Sequence, residues 1–175
     1  MTPTEMEYIL NNNITLIYDS REHQTAALEK RLRAVGFKNK REALKFGDYT
    51  VEYINGNITV NLQNEIVVER KMSLDEICGN FTRGRKRFER EFEKAIAAGA
   101  KVHLIIENGS YEKILNGDYR SRLNSNSLYS SLIAFCDRYN ITVHFCKPET
   151  TAVLIKKIFY HHIRNKLMKE IELPG

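Results

Sequence analysis

The sequence predicts a single α/β domain, a mixed central β-sheet flanked by helices, and three observations carry that reading. Strand-length segments at Ile14–Tyr18, Ile66–Lys71, Val102–Ile106 and Ile141–Phe145 alternate with segments of helical period. Asn55-Gly56-Asn57 separates Tyr49–Ile54 from Ile58–Leu62, a hairpin signal that adds antiparallel pairing to an otherwise β-α-β order. The 175 residues suffice for one core, and no repeat, low-complexity linker or composition break divides them.

Taken in order, Met1–Asn13 is polar and acidic and has no signal-peptide core. It reads as a flexible lead-in, residues 1–13, to a domain spanning 14–175. The strand Ile14–Tyr18 ends in Asp19-Ser20-Arg21-Glu22. Thr25–Val35 is a helix with Ala27, Leu28, Leu32 and Val35 along one face and Gly36 as its stop. Several β segments lie between Arg41 and Lys71, with Gln63-Asn64 as a second turn. Ser73–Cys78 starts a short helix that Gly79-Asn80 breaks, and Thr82 caps a longer one from Arg83 to Ala98, closed by Gly99. The polar stretch Asn108–Asn126 holds at most one helical turn, near Tyr111–Leu115, and its length marks it as functional or mobile. Ser127–Tyr139 is helical, with Leu128, Leu132, Phe135 and Tyr139 in one stripe. In the last helix, Thr150–Lys169, Leu154, Ile155 and Ile158 take one side and Phe159, Ile163 and Leu167 another. One side packs on the sheet; the other is either buried in a closing helix or the seam of a symmetric homodimer.

Hydrophobic content of 42% and charged content of 28% are those of an ordinary globular protein, and a net charge of +5 favours polyanionic partners. No apolar run approaches the ~20 residues a membrane-spanning helix needs. Cys78, Cys136 and Cys146 lack metal-ligand spacing; Cys136 and Cys146 sit in apolar segments and read as small buried hydrophobes of a reducing compartment. The expected location is the cytoplasm, or the nucleus in a eukaryotic source.

The chemistry concentrates in Val67–Asp75, where an apolar strand turns into Glu69-Arg70-Lys71 with no loop between. Strand alternation puts Glu69 and Lys71 on one face with Val67, and Val68 and Arg70 on the other. A carboxylate and an amine at the end of a buried strand are expensive unless something uses them, and a divalent metal with a phosphate would use both. Hard cations take oxygen ligands, often one or two carboxylates plus phosphate oxygens. Asp48, 21 positions before Glu69, with Glu69 and Lys71 is a kit for phosphodiester hydrolysis; the plain alternative is an ion pair on a solvated face. In Arg83–Ala98, Phe88, Phe92 and Ile96 share one side, while Arg83, Arg87, Arg90 and Lys94 form a basic stripe that is either a phosphate contact or a solvated face. Arg85 falls on the buried side of the first turn, near the active strand. Arg120 and Arg122 read as solvated loop cations or contacts to a second DNA arm, and His161-His162, diverging by a helical step, as surface or interface residues rather than a metal pair.

Gly47-Asp48-Tyr49 followed by Glu69-Arg70-Lys71-x-x-x-Asp75 resembles the signature of the XPF-type, or ERCC4-domain, structure-specific nucleases, within the restriction-endonuclease-like superfamily of PD-(D/E)xK pattern. Tyr18-Asp19-Ser20-Arg21-Glu22 resembles the family's early Asp-x-Arg-Glu element and Gly84-Arg85 its Gly-Arg, so the likeness runs from about Ile14 to Phe145. The resemblance implies a restriction-endonuclease-like fold and a Mg²⁺- or Mn²⁺-dependent endonuclease acting on branched, flap or junction DNA. It implies Asp48 and Glu69 as main metal ligands with the Arg70 carbonyl, and Lys71 as catalytic lysine. Asp19, Glu22 and Asp75 would be supporting acids, Asp19 reaching the metal, and Arg70 an orienting group. Arg85, Arg83, Arg87 and Arg21 would be DNA contacts. Glu89 stands where many members have glutamine, and the helicase region and tandem helix-hairpin-helix module of many relatives have no counterpart in the sequence. These departures bear on substrate preference more than chemistry. Two other readings stay open: an inactive nuclease fold that binds DNA as a scaffold, and a nuclease of sequence-specific duplex DNA or of RNA.

Overall fold

A computed structural model describes residues 1–172. The elements are α1 (Pro3–Asn12), β1 (Ile14–Asp19), α2 (Ala26–Val35), β2 (Lys38–Glu42), β3 (Tyr49–Asn55), β4 (Ile58–Asn61) and β5 (Ile66–Lys71). They continue as α3 (Leu74–Phe81), α4 (Arg85–Ala97), β6 (Lys101–Glu107), α5 (Tyr111–Leu115), α6 (Ser125–Tyr139), β7 (Thr142–Cys146) and α7 (Pro148–Glu172). One mixed sheet runs β2-β1-β3-β5-β6-β7, with β4 added to β3. β1/β2, β5/β6 and β6/β7 pair in parallel, and β3 is antiparallel to β1, β4 and β5. Only β3 therefore runs against the rest, so β1, β5, β6 and β7 bring their carboxyl ends to one edge. Crevices at such edges are where open α/β sheets bind ligands.

Alternation along the strands divides the core in two. Leu16, Val51, Val68 and Ile105 face α1, α2 and α7, packing with Leu28, Leu32, Ile155, Phe159 and Ile163. Val67, Leu104 and Ile106 face α3, α4 and α6, packing with Phe81, Phe88, Phe92, Leu132 and Phe135. The aromatic group is interlocked, with Phe81 and Phe135 edge to face at 4.8 Å and Phe88 and Phe92 at 4.7 Å.

Several expectations change. Residues 1–13 are not a flexible lead-in: the Thr2 hydroxyl accepts from Glu5 N–H, the Glu5 carboxylate accepts from Thr2 N–H at 2.7 Å, and α1 buries Ile9 and Leu10. α3 runs through Gly79-Asn80 because Leu74, Ile77, Cys78 and Phe81 recur on one face and are all buried. Burying four such side chains outweighs the ~1 kcal/mol that glycine costs a helix. The Thr82 hydroxyl donates to the Cys78 carbonyl at 2.8 Å and closes α3, so α4 opens at Arg85 and leaves Arg83 outside it. Edge strand β2, almost wholly charged, carried no hydrophobic signal. Cys78 is the buried cysteine, whereas Cys136 and Cys146 are partly exposed. In α7 the two apolar sides merge: Ile155, Phe159, Ile163 and Leu167 are all buried within the chain. No described helix is long and apolar enough to cross a membrane.

Candidate active site

β3 and β5 share one residue pair, Tyr49 with Val68, and then separate. Asp48 N–H donates to the Val68 carbonyl at 2.9 Å, and Asp48 Oδ2 accepts the Arg70 N–H at 2.7 Å. A side chain thus completes the ladder where β3 departs. Gly47 makes the turn, with φ of 74° and a position where a Cβ would lie 2.9 Å from Val67 Cβ; a larger residue there would be strained and crowded.

On the α4 side of β5, Lys71 Nζ lies 2.7 Å from Glu69 Oε1, 3.5 Å from Glu76 Oε1 and 5.4 Å from the centre of the Phe88 ring. Glu76 is held at the start of α3: it accepts Met72 N–H at 2.8 Å, and its own N–H donates to the N-cap Ser73 Oγ at 3.3 Å. Asp48, Lys71 and Glu76 line a cavity of about 320 Å³ with Glu22, His23 and Arg31. Burial, then the charge of Glu69, pushes the Asp48 carboxyl well above the usual carboxylate range. Burial opposes the charge on Lys71, but Glu69, by charge and hydrogen bond, outweighs it with help from Asp48 and raises its pKa, so the ammonium persists.

Oxygen-only donors suit Mg²⁺ or Mn²⁺. Asp48 Oδ1 and Glu69 Oε2 make no hydrogen bond to a described residue, leaving an acceptor on each carboxylate. Among the described residues no three of His, Cys, Asp and Glu form a closed metal cage.

The other expected residues are placed differently. Asp19, buried, spends both oxygens: Oδ1 accepts from Arg21 N–H and Nε at 2.7 and 2.9 Å, and Oδ2 from Arg21 Nη2 and Leu44 N–H at 2.6 and 3.3 Å. Burial raises this carboxyl, but the Arg21 and Leu44 contacts prevail and hold it below its usual value. Asp19 thus has no oxygen to spare for a metal, and Arg21 is bound to it in a fork. Glu22 does reach the cavity wall. Asp75 turns away from Lys71 and accepts Arg120 N–H and Ser121 N–H, both at 2.8 Å, with Arg120 Nε at 3.3 Å. It pins the polar loop over α3. Arg70 is clamped by Glu107, Nε to Oε1 at 2.8 Å and Nη2 to Oε2 at 2.7 Å, and Thr151 Oγ1 donates to the same carboxylate at 2.6 Å. Arg85 is exposed rather than buried, paired with Glu89 at 3.0 Å and resting 5.7 Å from the Phe135 ring centre. Arg83 and Arg87 are exposed and make no ion pair among the described residues.

Glu76 and Glu107 were missed. Glu76 had a signal, three residues after Ser73 in a capping-box spacing; Glu107 had only its place as the charge ending an apolar strand.

The ERCC4 domain family model matches residues 18–158. Among solved structures, XPF from Aeropyrum pernix is similar at 23% identity and a TM-score of 0.57, covering 82% of this chain and 58% of that one. The structure described as XPF from Aeropyrum pernix in complex with DNA is similar at 21% identity and a TM-score of 0.58, covering 89% of this chain and 65% of that one. The chain thus spans about three fifths of those proteins, and at these identities the likeness is one of fold, the expected restriction-endonuclease-like mixed sheet. No curated protein matches in sequence. With the family model covering most of its length and the Gly-Asp-Tyr and Glu-Arg-Lys segments inside the matched region, the chain belongs to the ERCC4-domain, XPF-type family.

Proposed function

We propose that this chain is a divalent-metal-dependent endonuclease that hydrolyses DNA phosphodiester bonds at branched, flap or junction structures. The observation that carries the reading is the convergence of Asp48, Glu69 and Lys71 where β3 parts from β5. The XPF-type family supports the substrate class, and a similar structure is described in complex with DNA.

Asp48 and Glu69 would hold Mg²⁺ or Mn²⁺, which when bound supplies charge stabilisation at phosphate and an acidified water. Lys71 remains an ammonium, oriented by Glu69 and Glu76, and offers hydrogen bonds to a phosphate oxygen as negative charge builds there. Arg70 keeps its side chain on Glu107 and gives its N–H to Asp48, so it fixes the strand end. Arg83 and Arg87 contribute exposed charge for backbone phosphates. A second copy would have to pair through a surface other than the Phe159, Ile163 and Leu167 stripe, which is buried inside the chain.

The test is cleavage of a panel of flap, fork, linear duplex and RNA substrates, with Mg²⁺ and with chelator. Metal-dependent cutting of forks or flaps is expected, lost in Glu69→Gln and Lys71→Ala while both variants stay folded. Equal cutting by wild type and both variants overturns the mechanism, and binding without cutting favours an inactive scaffold.

A further inference from the structure

The cavity at Lys71 continues beyond the site. Ala27, Arg31, Arg70 and Met72 line both it and a second groove of about 500 Å³, which passes between α2 and the start of α7. α2 turns Ala27, Lys30, Arg31 and Ala34 toward this groove, at helical spacing, while Leu28, Leu32 and Val35 face the core. The two alanines keep the wall low, and the two cations stand on it. Arg31 is set in place, its Nη1 donating to the Tyr49 hydroxyl at 2.8 Å. Arg70, on the floor, is neutralised by Glu107, and Glu149 lies on the α7 side, so the net positive charge is on the α2 wall.

Met72 lies where the two spaces meet. It follows Lys71 directly and is 60% exposed, an apolar side chain amid charge. A flexible thioether suits the face of an aromatic ring. A nucleobase free of its partner offers such a face, whereas paired bases are stacked and closed to it.

We propose that this groove carries an unpaired strand of the substrate away from the scissile phosphate, with Lys30 and Arg31 on its phosphates and a base against Met72. The proposal rests on the nuclease reading above, and it makes the single-stranded arm of a fork or flap the feature recognised. On this proposal a blunt duplex, having no unpaired strand to enter the groove, makes none of these contacts.

The test is binding, read by fluorescence anisotropy in chelator so that cleavage plays no part, with labelled forks carrying a single-stranded arm and blunt duplexes of equal length. Lys30→Ala with Arg31→Gln is expected to weaken fork binding about tenfold and leave duplex binding unchanged. The slope of log affinity against log salt should fall by about 1.4, since each single-strand phosphate contact contributes about 0.7. Met72→Ala is expected to weaken fork binding about fivefold with no change in that slope. Arg31→Lys retains the charge and should retain most of the affinity, which separates lost charge from lost packing on Tyr49. Fork binding at wild-type level in the double variant, or equal losses on fork and duplex, overturns the track. A wild type that binds forks through these residues and cuts nothing would instead overturn the nuclease reading and leave the track standing.

Discussion

Asp19 and Asp48 are aspartates at neighbouring strand ends, at the same edge of one sheet, yet they sit in opposite states. Asp19 meets four N–H donors, three from Arg21, and its proton is held less tightly than usual. Asp48 meets one N–H, and burial, then the like charge of Glu69, makes its proton held more tightly. Asp19 is a saturated carboxylate, whereas Asp48, half-buried near the carboxylate of Glu69, keeps an acceptor to spare. The difference lies in the donors each acid meets, which spacing in the sequence does not give.

The largest effect expected is on activity. Asp48→Asn should lower the cleavage rate by at least about a hundredfold, the scale of losing a principal charge-stabilising group, whereas Asp19→Asn should cost less than about tenfold at permissive temperature. Steady-state rates on one fork substrate compare the two, and equal losses would erase the distinction. Stability should move the other way. Asp19→Ala is expected to cost about 1–3 kcal/mol in chemical denaturation, the cost of buried donors left unmatched, lowered by the exposure of Arg21.

Asp48→Asn should raise the melting temperature at neutral pH, by roughly 2–4 °C for each kcal/mol of relieved repulsion. Its pH dependence has a definite sign. Folded Asp48 keeps its proton to higher pH than in the unfolded chain, so its contribution to stability is lost as pH rises through that window. Asp19, with a depressed folded value, contributes stability above the unfolded carboxylate range, lost as pH falls toward the folded value. Melts should therefore diverge from wild type in opposite directions as pH rises, the Asp19 variants' gap opening below about pH 4 and the Asp48→Asn gap opening above it. Mg²⁺ or Mn²⁺ at a hundred times its dissociation constant should stabilise the wild type by about 2.7 kcal/mol and Asp48→Asn far less; equal stabilisation would place the cation elsewhere. The smallest effect belongs to Asp75. Asp75→Asn should cost about 1 kcal/mol and speed amide exchange at Arg120 and Ser121, with cleavage reduced far less than in Glu69→Gln.

The segments that were legible are those whose signal is local. The helix over Thr25–Val35 followed from its apolar face and glycine stop, and the Asn55–Ile58 pairing from its turn residues, while the single turn at Tyr111–Leu115 lies where one was expected in the polar stretch. The α1 capping box was equally local, in Thr2 and Glu5, but a polar composition masked it. Gly79 misled for the opposite reason: its local penalty is real, and the cost was met by burial against α4 and α6, which the segment itself does not reveal.

The sequence by itself determined the placement of Glu69 and Lys71 on one face of a strand and of Arg70 on the other, because strand alternation is a property of the backbone. It also determined the family, since the Gly-Asp-Tyr and Glu-Arg-Lys-x-x-x-Asp segments are contiguous residues. Only the tertiary structure decided which donors each acid meets. Leu44 reaches Asp19 across 25 residues, Arg120 reaches Asp75 across 45, and Arg70 finds Glu107 across 37. A carboxylate's role is set by the donors that surround it, and folding brings those donors from elsewhere in the chain.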